Sequence, residues 1–175
     1  FMTSIPLNAL ISKAELRSDW IFALSGDNRI YAEQIAFGNG FFLAIDHDGE
    51  VLRSEDADQW ETINNFTDIT YMGFKYNATL EYHGEYFYLY EKNYYNGIKT
   101  LYCTKDGQTW EKISLDYNYI YGITFVHGTY YALVGNSKDN SSQESAALTS
   151  SQDGLNWSTL NADIPQTKYA GLAYG

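Results

Sequence analysis

The sequence predicts an all-β chain made of a repeated four-stranded antiparallel unit. Three observations carry that expectation. A heptad recurs with Ser or Thr first, Asp third and Trp seventh: Ser54 to Trp60, Thr104 to Trp110 and Ser151 to Trp157. Trp60, Trp110 and Trp157 stand 50 and then 47 residues apart, so the heptads keep a common phase. The chain also has 17 Tyr, 9 Phe and 4 Trp against 2 Pro among its 175 residues. Aromatic-rich and proline-poor sequence favours sheet over helix.

Each unit divides into strands A to D. Strand A ends on a glycine marker: Ile35-Ala36-Phe37-Gly38-Asn39-Gly40, Leu80-Glu81-Tyr82-His83-Gly84 and Ile123-Thr124-Phe125-Val126-His127-Gly128. An apolar run ending in Asn-Gly or His-Gly predicts a tight hairpin, because glycine accepts a positive φ without a steric cost. In this alignment His83 and His127 take the place of Asn39 and are turn residues. Strand B follows as Phe41–Ile45, Tyr86–Tyr90 and Tyr130–Val134. Polar turns at Asp46–Gly49, Glu91–Gly97 and Gly135–Ser145 lead to strand C, at Glu50–Arg53, Lys99–Cys103 and Ala146–Ser150. The heptad is then the C–D turn, and its Trp opens strand D, at Trp60–Ile63, Trp110–Ile113 and Trp157–Leu160. Such units, 45–50 residues long, have the period of β-propeller blades.

The phase extends to both ends. Trp20 lies as far before Ile35 as Trp157 lies before Leu172. Residues 20–24 therefore read as strand D of a preceding blade, and Leu172-Ala173-Tyr174-Gly175 as strand A of a following one. The expectation is an N-terminal segment, 1–30, holding the last strand of a preceding blade. Residues 31–175 then form one domain of about three full blades with partial blades at both termini, either by itself or as a piece of a larger ring.

These heptads resemble the Asp-box (BNR) repeat of sialidase-like propellers. The second and third copies carry the glycine of the short form, Gly107 and Gly154, whereas the first has Ala57 there. The resemblance implies a structural role for Ser54, Asp56, Trp60, Thr104, Asp106, Gly107, Trp110, Ser151, Asp153, Gly154 and Trp157. In such a turn the Asp carboxylate accepts backbone N–H groups and the Trp wedges between sheets. Sialidases would further imply three arginines around a carboxylate, a tyrosine nucleophile with an assisting Glu, and an Asp acid/base. Bidentate arginines suit a carboxylate by geometry. This chain has Arg17, Arg29 and Arg53 only, and Arg53 adjoins a heptad. The chain cannot supply that triad alone, so no catalytic residue is assigned.

Antiparallel order puts A–B and C–D turns at one end of each unit, and B–C turns and D–A links at the other. The second end receives Tyr71, Tyr76, Tyr94, Tyr95, Tyr117, Tyr119, Tyr121 and Tyr169, among many Asn, Asp and Ser. Rigid aromatics beside amides and carboxylates suit a glycan or a protein, and equally suit packing between blades. Three functions follow: a non-catalytic module binding glycan or protein, a fragment of a larger sialidase-like glycoside hydrolase, or a structural or receptor-binding part of an assembly such as a phage tail. If the chain acts alone, a homo-oligomer completing the ring is expected, because open sheet edges invite pairing.

Composition narrows the partners. The net charge of −11 opposes a phosphate-rich surface, so nucleic acid is not expected. No apolar run reaches the ~20 residues of a membrane span. Residues 1–20 lack the pattern of a signal peptide. The family resemblance favours an extracellular, cell-surface or virion setting, while the sequence leaves localisation open. Cys103 is the single cysteine and reads as a small apolar strand residue. The Asp46-His47-Asp48-Gly49-Glu50 segment lacks the later acidic ligand of a calcium loop and reads as a solvated turn. No metal or cofactor is expected.

Overall fold

The computed structural model describes residues 32–46, 48–66, 78–91, 100–117, 119–137 and 144–164. They form three four-stranded antiparallel sheets, and no helix occurs among them. The first sheet holds β1 (Ala32–Gly38), β2 (Phe41–Asp46), β3 (Glu50–Ser54) and β4 (Glu61–Asn65) in chain order. The second holds β5 (Ala78–His83), β6 (Tyr86–Glu91), β7 (Thr100–Thr104) and β8 (Glu111–Ser114). The third holds β9 (Tyr119–Val126), β10 (Thr129–Ser137), β11 (Glu144–Ser151) and β12 (Ser158–Ile164). The segments read as flanking partial blades, 20–24 and 172–175, lie outside the described residues.

The first strands of consecutive sheets lie side by side, β1 beside β5 and β5 beside β9. Two apolar cores fill the junctions. Leu43, Ile45 and Val51 of the first sheet meet Leu80, Phe87 and Leu89 of the second. Tyr86, Tyr88, Tyr90 and Leu101 of the second meet Ile120, Tyr130, Ala132 and Val134 of the third. The middle sheet is thus covered on both faces. This explains why β6 reads Tyr-Phe-Tyr-Leu-Tyr with no polar alternation: odd and even residues both enter a core.

The hairpins follow the glycine markers, with one correction. Asn39-Gly40 and His127-Gly128 have positive φ at both residues, the type I′ geometry whose twist matches the strands. In the first hairpin of the second sheet only Gly84 has positive φ, and the turn is Gly84-Glu85. That is the type II′ pattern, with glycine first. His83 is therefore no turn residue. It ends β5 and pairs with Tyr86. Likewise Trp60, Trp110 and Trp157 precede the fourth strands, which begin one residue later.

Candidate functional site

The three heptads close on themselves in the same way. Ser54 Oγ, Thr104 Oγ1 and Ser151 Oγ each donate to the Asp two residues on, at 3.1, 3.0 and 2.9 Å. Each also accepts the backbone N–H three residues on, from Ala57, Gly107 and Gly154, at 2.9 Å. Asp56 Oδ1 then accepts the N–H groups of Asp58 and Gln59, Asp106 Oδ1 those of Gln108 and Thr109, and Asp153 Oδ1 those of Leu155 and Asn156. Those backbone donors hold all three carboxyls below the usual range. The largest contributions come from the N–H groups of Gln59, Thr109 and Asn156, and at Asp153 the Asn156 side chain adds another. The indoles complete the turn. Trp60, Trp110 and Trp157 Nε1 donate to the carbonyls of Ala57, Gly107 and Gly154, at 3.2, 2.9 and 3.1 Å.

The fourth heptad position is left-handed in all three copies: φ is 65° at Ala57, 79° at Gly107 and 78° at Gly154. In the second and third copies it also backs onto the preceding sheet. A Cβ at Gly107 would stand 3.0 Å from Leu43 Cδ2, and one at Gly154 would stand 2.6 Å from the Tyr88 hydroxyl. Glycine serves both conformation and closeness there. The indole above it packs the same way. Trp110 meets Phe66 edge-on at 5.0 Å, and Trp157 meets Tyr88 at 6.4 Å.

Adjacent turns are tied together at this end. Asn39 Nδ2 donates to the carbonyls of Glu85 and Lys105, both at 2.9 Å, and Asn39 Oδ1 accepts from the Tyr82 hydroxyl at 2.7 Å. The Glu85 N–H donates to the Tyr130 hydroxyl. Lys105 Nζ meets the Glu85 carboxylate at 2.6 Å and lies over the Tyr86 ring. Arg53 stacks on Phe41 and pairs with Glu55 and Glu61.

The opposite end is marked by the first B–C turn. There Asp46 Oδ1 accepts the N–H groups of Asp48 and Glu50, and Gly49 O accepts that of Phe66. Of the eight tyrosines assigned to this end by sequence, Tyr71, Tyr76, Tyr94, Tyr95 and Tyr169 lie outside the described residues. Tyr117 follows β8, is half-buried, and its hydroxyl meets Thr159 Oγ1 at 2.8 Å. Tyr119 and Tyr121 do not sit in a D–A link. They belong to β9, which starts earlier than the marker alone predicts, because Tyr119 and Ile120 pair with Gly135 and Val134 of the long β10. Tyr119 is buried, Tyr121 is half-buried, and their rings lie 6.4 Å apart.

One cluster lies apart from all of these. On β5, Glu81 and His83 alternate onto the face toward the third sheet. Glu81 Oε2 accepts from the Tyr90 hydroxyl at 2.9 Å and meets His83 Nε2 at 3.3 Å. Tyr90 is fully buried, and burial first, then the Glu81 charge, push its phenol well above the ordinary value. The pair holds the tyrosine protonated. The Glu-x-His alternation was the only signal for it, and placing His83 in a turn hid it. Among the described residues no group of His, Cys, Asp and Glu could hold a metal ion. No helix among them is long and apolar enough to cross a membrane.

No family model and no curated protein matches the chain. Among solved structures it is similar to the Bombyx mori GH32 β-fructofuranosidase BmSUC1, at 14% identity over 73% of this chain and 33% of that one, with a TM-score of 0.38. A mutant of that enzyme in complex with sucrose gives the same identity and coverage and a TM-score of 0.36. The chain spans about a third of those neighbours, and overlap at that level fixes neither fold nor activity.

Proposed function

We propose that the chain is part of a β-propeller with Asp-box turns, and that it serves as a non-catalytic module recognising a glycan or a protein. Three equivalent meanders with their first strands side by side support the propeller reading. Residues 1–30 and 31–175 would divide as the repeat phase divides them, with partial blades at each end. The observation that carries the functional reading is the saturation of the heptad end. The Ser or Thr, Asp and Trp side chains that define its heptads are spent inside the turns, and its Asn39, Lys105 and Glu85 side chains on neighbouring turns. That end is scaffold, which leaves recognition to the end bearing the tyrosine-rich segments.

Among the described residues Tyr90 has Glu81 beside it, but its hydroxyl is buried in the second core, which disfavours a catalytic role there. A glycan array followed by calorimetry tests the reading. The expected result is a saturable glycan or protein ligand whose affinity falls at least several-fold on Tyr117→Ala or Tyr121→Ala, with the thermal melt retained. Binding that survives both substitutions and is lost on substituting heptad-end residues would refute it. A further part of this proposal is closure of the ring by a second copy. Light scattering showing a strictly monomeric species would count against that part.

A further inference from the structure

Asn39 and Gly40 form one of two Asn-Gly dipeptides in the sequence, the other being Asn96-Gly97, outside the described residues. Asn-Gly is chemically the most labile asparagine sequence, since glycine leaves its amide nitrogen open to attack the asparagine side chain. Asn39 is exposed, yet its amide is committed at three points. Nδ2 donates to Glu85 O and Lys105 O across the junction, and Oδ1 accepts from Tyr82, whose ring covers Gly38. It is thus a clamp between the A–B turn of the first sheet and both turns of the second.

We propose that Asn39 is a modification site whose deamidation is gated by this clamp and which, once modified, releases it. The reaction needs only solvent. The Gly40 nitrogen attacks Asn39 Cγ, a C–N bond forms, and ammonia leaves with the succinimide closed. Water then opens either carbonyl of the ring, giving aspartate or isoaspartate. The amide cannot swing to meet the Gly40 nitrogen without giving up its three hydrogen bonds, so the intact junction holds the reaction back. The product has no donor. A carboxylate oxygen replaces Nδ2 at 2.9 Å from two carbonyl oxygens, which turns two attractions into repulsions. Isoaspartate additionally lengthens the backbone by one methylene inside a two-residue turn that needs left-handed φ at both positions.

The test is peptide mapping by mass spectrometry during incubation at mildly alkaline pH, on the full chain. Asn39 should convert more slowly in the folded protein than in urea. Tyr82→Phe, which keeps the ring and removes one of the three hydrogen bonds, should speed conversion at Asn39 roughly two- to tenfold. The rate at Asn96 serves as the internal reference and should not change. An unchanged or slower rate at Asn39 in Tyr82→Phe would overturn the gating, the slower one marking Tyr82 as an activator of the carbonyl instead. N39D tests the release. It should melt at lower temperature than wild type at neutral pH and speed amide exchange in β1 and β5. Wild-type stability and exchange in N39D would overturn that half.

Discussion

The fourth position of the heptad allows a test in which three equivalent sites give three different results. Gly154→Ala places a methyl at φ 78° and 2.6 Å from the hydroxyl of Tyr88, which is fully buried and donates to Gly154 O at 3.2 Å. A left-handed alanine costs roughly 1–2 kcal/mol, of which the lost flexibility of glycine returns about half. Losing the Tyr88 hydrogen bond costs about 1 kcal/mol. Shifting a tyrosine in a packed core adds about 1–3 kcal/mol. The expected loss is about 2.5–5 kcal/mol, or roughly 5–20 °C in Tm for a chain of this size. Gly107→Ala meets Leu43 Cδ2 at 3.0 Å and the Phe41 ring at 3.2 Å, both farther than the Tyr88 hydroxyl is from Gly154, and should lose about half as much. Ala57→Gly goes the other way. Ala57 sits at φ 65°, so glycine removes strain and should gain about 0.5–1 kcal/mol.

Tyr88→Phe isolates the clash. Alone it should cost about 1 kcal/mol, the hydrogen bond. Combined with Gly154→Ala it should cost less than the two effects added, because the atom that collides is gone. The methyl still faces Tyr86 at 3.0 Å, so rescue is partial. The assay is urea denaturation followed by tryptophan fluorescence, with differential scanning calorimetry as a check. Strict additivity in the double mutant, or a Gly154→Ala loss no larger than that of Gly107→Ala, would refute the claim that Tyr88 is the obstacle.

Acid should unfold the chain from the heptads. Their carboxyls titrate below the usual value in the folded state, so their contribution is complete above about pH 4 and is lost as pH falls through the folded values. Tm measured from neutral to strongly acid pH should show this fall, and Asp153→Asn should flatten it while lowering the neutral-pH plateau. Cys103 is buried in the second core, and burial pushes its thiol up to about 12. It should resist a disulfide reagent at neutral pH until urea unfolds the sheet, so labelling at the native rate of an exposed thiol would contradict the packing. The Lys105–Glu85 pair is exposed, so Lys105→Ala should change stability by less than about 1 kcal/mol, and by less still in high salt.

Much of this fold was legible in the sequence because the turns carry spaced markers. Trp and Gly at fixed phase located twelve strands, since hairpin and heptad turns each demand particular residues. What escaped was set by neighbours in space. His83 shifted out of its expected turn because Gly84 can open a type II′ turn with Glu85, and both registers satisfy a His-Gly pair in sequence. Tyr119 and Tyr121 joined β9 because β10 is long enough to pair with them, a fact about the partner strand. The indole-to-carbonyl bonds and the Tyr90–Glu81–His83 cluster depend on side-chain direction across strands, which spacing does not encode.

The two junctions show where the repeat stops being a copy. Phe37, Tyr82 and Phe125 hold equivalent places on the first strands, each stacked on its β2, β6 or β10 neighbour at 4.6, 4.8 and 4.5 Å. At the first junction Tyr82 lies over Gly38 and its hydroxyl takes Asn39, so the sheets close tightly at their first strands. At the second junction the place of Gly38 is held by His83, and no close approach is open to the aromatic of β9. Phe125 carries no hydroxyl and stays 38% exposed. The latch moves to the second strand, where Tyr130 lies over Gly84 and accepts the Glu85 N–H. The same demand, an aromatic laid on a glycine of the preceding sheet and fixed by its hydroxyl, is met at both junctions by different strands. The shift leaves Glu81 and His83 partly exposed on a first strand, β5, where β1 has Ala36 and Gly38. Divergence between junctions therefore concentrates polar groups on one first strand, while the heptads hold the turns between third and fourth strands alike.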